Sequence, residues 1–276
     1  MKKRCILLLM CSLLLFFGCS QEQFHFPYVM TLENQVTIQT DVSEGFAKKV
    51  IEKFAAVYNA YSTIIPFPSK RARPFVISIF KEKGDFLRYQ KQIAPTKSDV
   101  GFYIPDRGEL VLVYQGSEQT LRTLYHEAFH AYFEDRIIHP PAWLNEGLAQ
   151  YVEIHKSGIM DRIVRGTVNQ KWDGTLAQMY KDHTIPHIRD IIEHDWPDRH
   201  ALTDEEYALS LSLVTFLKKE HEEAFNNYLQ LLYNKEHPQQ AFYTIWADLE
   251  TLDKEWNDSI KKEIRKRRLL RLLPGT

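Results

Sequence analysis

The sequence predicts a single α+β domain in which the strands precede most of the helices. Between residues 35 and 114, short runs of alternating or β-branched apolar residues are bounded by turn residues, which is typical of strands. From residue 117 onward, apolar residues recur at intervals of three and four, which is typical of helices packed on a core. The chain has 276 residues and shows no internal repeat or low-complexity linker, so one sizeable core is expected.

The first half is expected to combine strands with connecting helices. Residues 35–40 alternate like a strand, and Asp41 with Glu44 three residues later matches a capping box that opens a helix. The core-facing positions of that helix share helical spacing and are Phe46, Val50, Phe54, Val57 and Tyr61. Residues 75–80 are β-rich, and a turn at 81–84 leads to a short helix near residues 86–93.

A hairpin should then lead into a long helix. Residues 101–104 and 109–114 flank a Pro-Asp-Arg-Gly turn, which predicts two antiparallel strands. Ser117 suits the start of the following helix as a cap, and Pro140 ends it. Pro141 can open the next helix as its first residue. The apolar stripe of the long helix, at three- and four-residue spacing, consists of Leu121, Leu124, Tyr125, Ala128 and Tyr132.

The sequence His126-Glu127-Ala128-Phe129-His130 lies within this long helix and has the composition of a metal site. Side chains four residues apart stand one above the other on a helix, so the two imidazoles can hold one Zn²⁺. Glu127 is rotated about 100° around the helix, which keeps it off the metal but beside a metal-bound water. A carboxylate in that position can act as a general base. The imidazoles bind metal only when they are neutral, so metal affinity should fall as the pH drops through about 6.5.

A second motif follows the two prolines and reads Trp143-Leu144-Asn145-Glu146-Gly147-Leu148-Ala149. It resembles the Trp-Leu-Asn-Glu-Gly-Phe-Ala segment of gluzincin metallopeptidases, and over roughly residues 74–217 the chain resembles the peptidase MA-like superfamily. The resemblance implies that Glu146 is the third zinc ligand, which leaves the fourth tetrahedral position to water. It also implies a zincin-like, minigluzincin fold: a small N-terminal mixed sheet packed on the zinc helix, followed by a mostly helical C-terminal half.

The resemblance further implies a zinc-dependent metallopeptidase that hydrolyses a peptide or protein substrate with a metal-activated water. Two departures exclude a direct transfer of aminopeptidase activity. Only 15 residues separate His130 from Glu146, where aminopeptidases have a longer insert, and their Gly-x-Met-Glu-Asn exopeptidase motif is missing. The alternative is a catalytically silent lipoprotein that uses the same scaffold for binding or envelope assembly. Glu127 favours the enzyme, because a purely structural metal site does not need it.

The helix after residue 203 is expected to supply one more catalytic group. Thr203 and Glu206 match a capping box that opens a helix to about residue 219. Tyr207 resembles the tyrosine that begins this helix in peptidase MA-like proteins, which implies a donor that stabilises the oxyanion. The alternative is a core tyrosine with a satisfied hydroxyl. His183 and His187 are rival donors.

Two further predictions concern the surroundings of the metal. Gln150 and Glu153 are candidates for accepting a hydrogen bond from the outer nitrogen of a ligand imidazole. Residues 109–114 line the substrate cleft if they form a sheet edge, as in gluzincins, where an extended peptide adds to the edge by main-chain hydrogen bonds. The alternative is an internal strand.

The start of the chain is typical of a bacterial export signal. Three basic residues precede an apolar run of 13 residues (5–17), which is too short to span a bilayer, and Gly18-Cys19-Ser20 resembles a lipobox. We therefore expect a lipoprotein signal peptide at residues 1–18 and a lipid anchor on Cys19. Where the host has an outer membrane, we expect the protein to be anchored in it and to face the periplasm. The alternative is an ordinary cleaved signal and a secreted protein. After cleavage Cys19 is the sole cysteine, so no intramolecular disulfide can form.

The mature chain divides by pattern into a tether at residues 19–34, a gluzincin-like catalytic domain at 35–238 and a helical extension at 239–276 packed on the same domain. The net charge of the mature chain is near −4, because 32 Lys and Arg remain after signal removal against 36 Asp and Glu. The sequence has no basic stripe of the kind that nucleic-acid-binding proteins carry. Basic residues interleaved with leucines near the C-terminal end suit either an anionic membrane or a solvated helix end. The pattern indicates neither the substrate nor the oligomeric state.

Overall fold

The computed structural model describes residues 24–32, 36–69, 75–93, 98–156, 170–194 and 202–270, with the backbone alone at 155–156, 170–173 and 267–270. The signal peptide predicted at residues 1–18 and the lipidation predicted at Cys19 lie outside these residues. Within them, a small mixed sheet forms the N-terminal part and the C-terminal part is mostly helical. The predicted α+β fold class is confirmed at this level.

The sheet has five strands, which are Tyr28–Leu32 (β1), Val36–Thr40 (β2), Phe75–Phe80 (β3), Gly101–Ile104 (β4) and Glu109–Val113 (β5). Their spatial order is β1, β2, β3, β5, β4. The central strand β3 pairs in parallel with β2 and β5, and the two outer pairs are antiparallel. Parallel neighbours need a crossover connection, and helices α1 (Glu44–Tyr61) and α2 (Lys83–Ile93) lie in those connections.

The two faces of the sheet carry separate apolar clusters, because successive side chains of a strand point to opposite faces. Side chains such as Ile77 and Leu112 face the larger cluster, where they pack with α1 and the long helix α3 (Ser117–Glu134). Side chains such as Phe80 face the smaller cluster and pack with Phe86 of α2. The helix that carries both histidines is therefore seated on the larger apolar face of the sheet.

The N-terminal tether is shorter than predicted. Tyr28–Leu32 lies inside the segment 19–34, yet it forms β1 and pairs antiparallel with β2. Just before it, the rings of Phe24 and Phe26 pack against Phe80 at centroid distances of 5.4 and 4.9 Å. The prediction of a tether is thus wrong for this strand. An edge strand is held by main-chain pairing with half-exposed side chains, so it leaves only a weak apolar pattern in the sequence.

Three helix starts differ by one to three residues from the prediction. The N-cap of α1 is Ser43, whose hydroxyl accepts a hydrogen bond from the N–H of Phe46 at 3.1 Å. The predicted cap, Asp41, accepts instead from the backbone N–H of the residue after β3, at 2.7 Å. α2 already begins at Lys83, and α3 begins at Ser117, so its cap is the preceding glycine. All core positions predicted for α1 and α3 are buried.

The edge of the sheet nearest to α3 is β4. Strand β5 lies between β3 and β4, so the prediction that residues 109–114 form a peptide-binding edge is wrong. The alternative, an internal strand, is confirmed. The hairpin sequence could not decide this, because either of its strands can pair with the central strand. β4 packs closely on its surroundings: a Cβ on Gly101 would lie 2.4 Å from Cδ2 of Leu112 and 3.2 Å from Cγ2 of Thr123 in α3.

Helices form the C-terminal part, and their described bounds are Ala142–Lys156 (α4), Gln170–Lys181 (α5), Ile188–Glu193 (α6), Asp204–Glu220 (α7), Glu222–Tyr233 (α8), Pro238–Ile245 (α9) and Leu249–Leu270 (α10). The predicted capping box of Thr203 and Glu206 opens α7. Trp256 of α10 is buried and donates to Oγ of Ser212 in α7 at 3.1 Å, so the C-terminal helix packs on the same core. None of the described helices has the length and apolar character that crossing a bilayer requires.

Helices α4 and α7 cross closely at Gly147. A Cβ on this residue would lie 2.4 Å from the carbonyl oxygen of Ser210 and 2.6 Å from Cγ2 of Val214. The first contact is with backbone, so rotation of a side chain cannot relieve it. The glycine next to Glu146 therefore sets the distance between the two helices.

We expect Gly147→Ala to lower the free energy of unfolding by roughly 1–3 kcal/mol, because the added methyl group forces α4 and α7 apart. The matched control is Gly45→Ala in α1, where a Cβ meets nothing within 4 Å. There alanine should raise helix stability by up to about 1 kcal/mol. Urea denaturation of both variants measures the two changes, and equal midpoints would contradict the close crossing.

Candidate metal centre

Three side chains from two helices converge on one point. His126 and His130 lie one turn apart on α3, and Glu146 lies in the second turn of α4. The Nε2 atoms of the two histidines are 3.1 Å apart. Oε2 of Glu146 lies 3.3 Å from Nε2 of His126, and its Oε1 lies 3.3 Å from Nε2 of His130. The predicted ligands are thus brought together in a cluster that could hold a metal ion.

The spacing of these atoms fits a small tetrahedral ion. With metal–ligand bonds of about 2.0–2.1 Å, ligand atoms at tetrahedral angles lie about 3.3 Å apart. Two imidazole lone pairs and a carboxylate that face the same point repel one another unless a cation or a proton lies between them. Two histidines and one glutamate are also a donor set found in zinc sites that keep a fourth position open. The residues present therefore fit a metal of the zinc class.

The cluster is closed on one side and open on the other. The side chains of His130 and Glu146 are each 2% exposed, whereas that of His126 is 17% exposed. Buried ligands keep their rotamers, because the packed surroundings leave them no alternative. Solvent or a ligand therefore reaches the cluster from the side of His126.

Each ligand imidazole is held at its outer nitrogen. Nδ1–H of His130 donates to Oδ1 of Asn145 at 2.8 Å, and Nδ1 of His126 lies 3.5 Å from Oε2 of Glu153. Arg122 holds Glu153 in turn, with its Nη2 and Nε atoms 2.8 and 3.1 Å from Oε1. With the protons on Nδ1, the Nε2 atoms of both histidines present lone pairs to a metal.

Of the two residues predicted to accept from an imidazole, Glu153 approaches one and Gln150 does not. Gln150 donates instead to the carbonyl oxygens of Glu146 and Tyr207, at 3.3 and 3.2 Å, and so links α4 to α7. The sequence pattern does not indicate Asn145 as a hydrogen-bond partner of His130. The signal that could have found it is its position directly before Glu146, because neighbouring residues of a helix lie about 100° apart and both side chains can then reach α3.

The charges around His126 favour its protonated form in the metal-free protein. Burial alone would lower the pKa of this imidazole, but the carboxylates of Glu146 and Glu153 outweigh burial and hold it well above 6.5. Burial likewise raises the pKa of Glu153, but His126 and Arg122 more than compensate and hold it below its usual value. A metal ion must therefore displace a proton from His126, and this competition extends to a higher pH than for a free histidine.

We expect the stabilisation of the protein by zinc to grow with pH above 6.5. Because the pKa of His126 is raised in the folded protein, its proton stabilises the metal-free fold fully at pH values below the pKa of this imidazole in the unfolded chain. This stabilisation is lost as the pH rises through the pKa of the folded protein. Zinc displaces the same proton, so its apparent binding free energy strengthens by about 1.4 kcal/mol per pH unit over that window. Calorimetric unfolding with and without buffered zinc, from pH 6 to 8, measures the difference. A zinc-dependent shift in Tm that stays constant over this range would contradict the assignment of His126 as a ligand.

Glu127 lies on α3 beside the cluster without being one of the three converging ligands. Its side chain is buried, with 7% of the residue exposed. Its negative charge also contributes to the raised pKa of His126, as expected for a carboxylate close to that imidazole. A buried carboxylate next to a metal site is suited to take and return a proton.

Tyr207 contacts the helix that carries Glu146, whereas the rival histidines have other surroundings. Tyr207 is half-buried in the first turn of α7, and its carbonyl oxygen accepts from Gln150 of α4. His187 is exposed and lies with Nδ1 2.9 Å from Oδ2 of Asp253 in α10. His183 is exposed in the turn after α5. The described contacts therefore connect Tyr207, rather than either histidine, to the helix that supplies the acidic ligand.

Part of the chain matches a known family. Residues 120–238 match a family described as "Protein of unknown function (DUF1570)". No match was found among curated proteins. The matched segment begins in α3 before His126 and ends at the start of α9, so it includes the three candidate ligands, Glu127 and Tyr207.

Proposed function

We propose that the protein is a zinc-dependent metallopeptidase of the gluzincin type with a zincin-like fold. The observation that carries the proposal is the approach of two imidazole Nε2 atoms and the Glu146 carboxylate to within 3.3 Å of one another, with the buried Glu127 beside them. Zinc held by these three side chains would polarise the scissile carbonyl and lower the pKa of a water molecule to roughly 7. A purely structural zinc site would instead close its fourth position with a protein ligand.

The proton transfers are assigned to Glu127. Its carboxylate takes a proton from the attacking water and passes it to the leaving amine nitrogen, so it acts first as base and then as acid. Its burial beside the cluster supports this role. Tyr207 is assigned to the oxyanion, since its hydroxyl can donate a hydrogen bond to charge that develops opposite the metal.

The edge strand β4 is assigned to the substrate backbone. Among the described residues, β4 pairs with β5 on one side only, so its outer main-chain groups face away from the sheet. β4 also packs on α3, since a Cβ on Gly101 would lie only 3.2 Å from Cγ2 of Thr123. An extended peptide can add to such an edge by main-chain hydrogen bonds, a binding mode called β-augmentation.

The assignment to the cell envelope rests on the sequence before residue 24. The basic start, the apolar run and Gly18-Cys19-Ser20 support export and a lipid anchor on Cys19. The first described ring, Phe24, already packs on the sheet, which leaves four residues between the anchor and the folded domain. Such a short connection would hold the enzyme next to the membrane.

Hydrolysis of a mixed library of unstructured peptides tests the proposed function. We expect zinc-loaded protein to cleave members of the library, a chelator to abolish cleavage and added zinc to restore it. Mass spectrometry of the products identifies the cleaved bonds. A protein that binds zinc with the expected stoichiometry but cleaves no peptide would contradict the peptidase and favour the silent, binding lipoprotein.

A further inference from the structure

His130 is the first member of a chain of three hydrogen-bonded side chains. Its Nδ1–H donates to Oδ1 of Asn145 at 2.8 Å, and Nδ2 of Asn145 donates to Oε1 of Glu134 at 3.0 Å. His130 and Asn145 are 1% and 4% exposed, and Glu134 is half-buried. The chain runs from α3 to α4 and back to the last residue of α3. It therefore joins the metal-ligating histidine to a carboxylate through an amide.

An amide by itself does not determine which nitrogen of the histidine carries the proton. If the amide of Asn145 turned over, its NH₂ group would face His130, and Nδ1 would have to accept a hydrogen bond. The imidazole proton would then sit on Nε2, the atom that faces the cluster, and block metal binding there. An ionised carboxylate accepts hydrogen bonds and donates none, so Glu134 admits only the amide orientation that places Oδ1 against His130.

The other histidine needs no such arrangement. Nδ1 of His126 faces Glu153 directly, and a carboxylate is an acceptor without the help of a third group. A carboxylate thus lies behind each ligand imidazole. Glu153 contacts His126 directly, and Glu134 is linked to His130 through Asn145.

The place of Glu134 in its helix supports a specific role. A negative charge in the last turn of a helix opposes the helix dipole, and the last turn of α3 contains no basic residue. Helix formation alone therefore disfavours an acid there, and the hydrogen bond from Asn145 offsets this cost. We propose that Glu134 is a positioning residue of the metal site, which holds the Asn145 amide so that His130 presents its Nε2 lone pair to the ion. The proposal rests on the metal site of the proposed function, but not on peptide hydrolysis.

The tautomer of His130 in the metal-free protein gives the first test. Nitrogen-15 chemical shifts of the imidazoles should report Nδ1–H in the wild-type protein and a substantial fraction of Nε2–H in Glu134→Ala. Glu134→Gln should give an intermediate fraction of Nε2–H, because its amide can either accept the same hydrogen bond or donate one and so no longer excludes the turned-over Asn145 amide. Asp135→Asn is the control, since Asp135 is the neighbouring acid and contacts Ser69 and Arg136 instead of Asn145. An unchanged tautomer in Glu134→Ala would overturn the proposal, whether or not the protein binds metal.

Cobalt(II) binding gives the second test. We expect Glu134→Ala to weaken Co²⁺ binding by about 10–100-fold and to shift the visible absorption of the bound ion, as loss of an outer hydrogen-bond partner does at metal sites. Asp135→Asn should bind within a few-fold of wild type, and Glu134→Gln should fall between wild type and Glu134→Ala. Wild-type affinity and spectrum in Glu134→Ala, or an equal loss in Asp135→Asn, would overturn the role of Glu134. If wild-type protein binds no Co²⁺, the metal site fails and this proposal fails with it.

Discussion

Glu127→Gln is expected to retain about one zinc ion per chain while losing peptide hydrolysis by about 10²–10⁴-fold in kcat/KM. The substitution keeps the size and burial of the side chain but removes its ability to take a proton. The three candidate ligand atoms belong to His126, His130 and Glu146, so metal binding should be unaffected. Stoichiometry by elemental analysis and rates on a peptide identified from the library measure the two effects separately.

The control for this variant is Glu118→Gln, which changes an exposed glutamate in the first turn of the same helix. It removes the same charge from α3 without touching the cluster, so both metal content and activity should stay at the wild-type level. Full activity in Glu127→Gln would eliminate the proposed proton transfers. Loss of zinc from Glu127→Gln would show instead that this carboxylate holds the metal.

The sequence predicts the local structure around the site well, because the relevant patterns are periodic. The apolar stripes of α1 and α3, the strand at Phe75–Phe80 and the hairpin before α3 are all found in the structure. The order of strands in the sheet and the strand Tyr28–Leu32 are not predicted. Both depend on which main chains pair, and main-chain pairing leaves little trace in side-chain pattern.

The cluster of candidate metal ligands could be predicted for a similar reason. His126 and His130 are neighbours by helical geometry alone, whereas the position of Glu146 follows from the resemblance of its motif. The hydrogen bonds behind the ligands depend on how α4 crosses α3, which one sequence does not reveal. The sequence therefore indicates Glu153 and Gln150 only as candidates, and it gives no sign of the bond from His130 to Asn145.

His126→Ala is expected to weaken zinc binding roughly 100-fold or more, equivalent to about 3 kcal/mol. The variant leaves one imidazole and one carboxylate, and it removes the ligand on the open side of the cluster. His187→Ala is the matched control, because His187 is exposed and lies against Asp253 of α10 rather than the cluster. Competition with a fluorescent zinc chelator measures both affinities.

Elemental analysis of the purified protein beside His126→Ala tests the central claim most directly, since it requires no knowledge of the substrate. The convergence of His126, His130 and Glu146 predicts about one zinc ion per wild-type chain, and a large loss of that metal in the variant. Wild-type protein that takes up no stoichiometric metal after incubation with zinc, or a variant that keeps as much as the wild type, would contradict it.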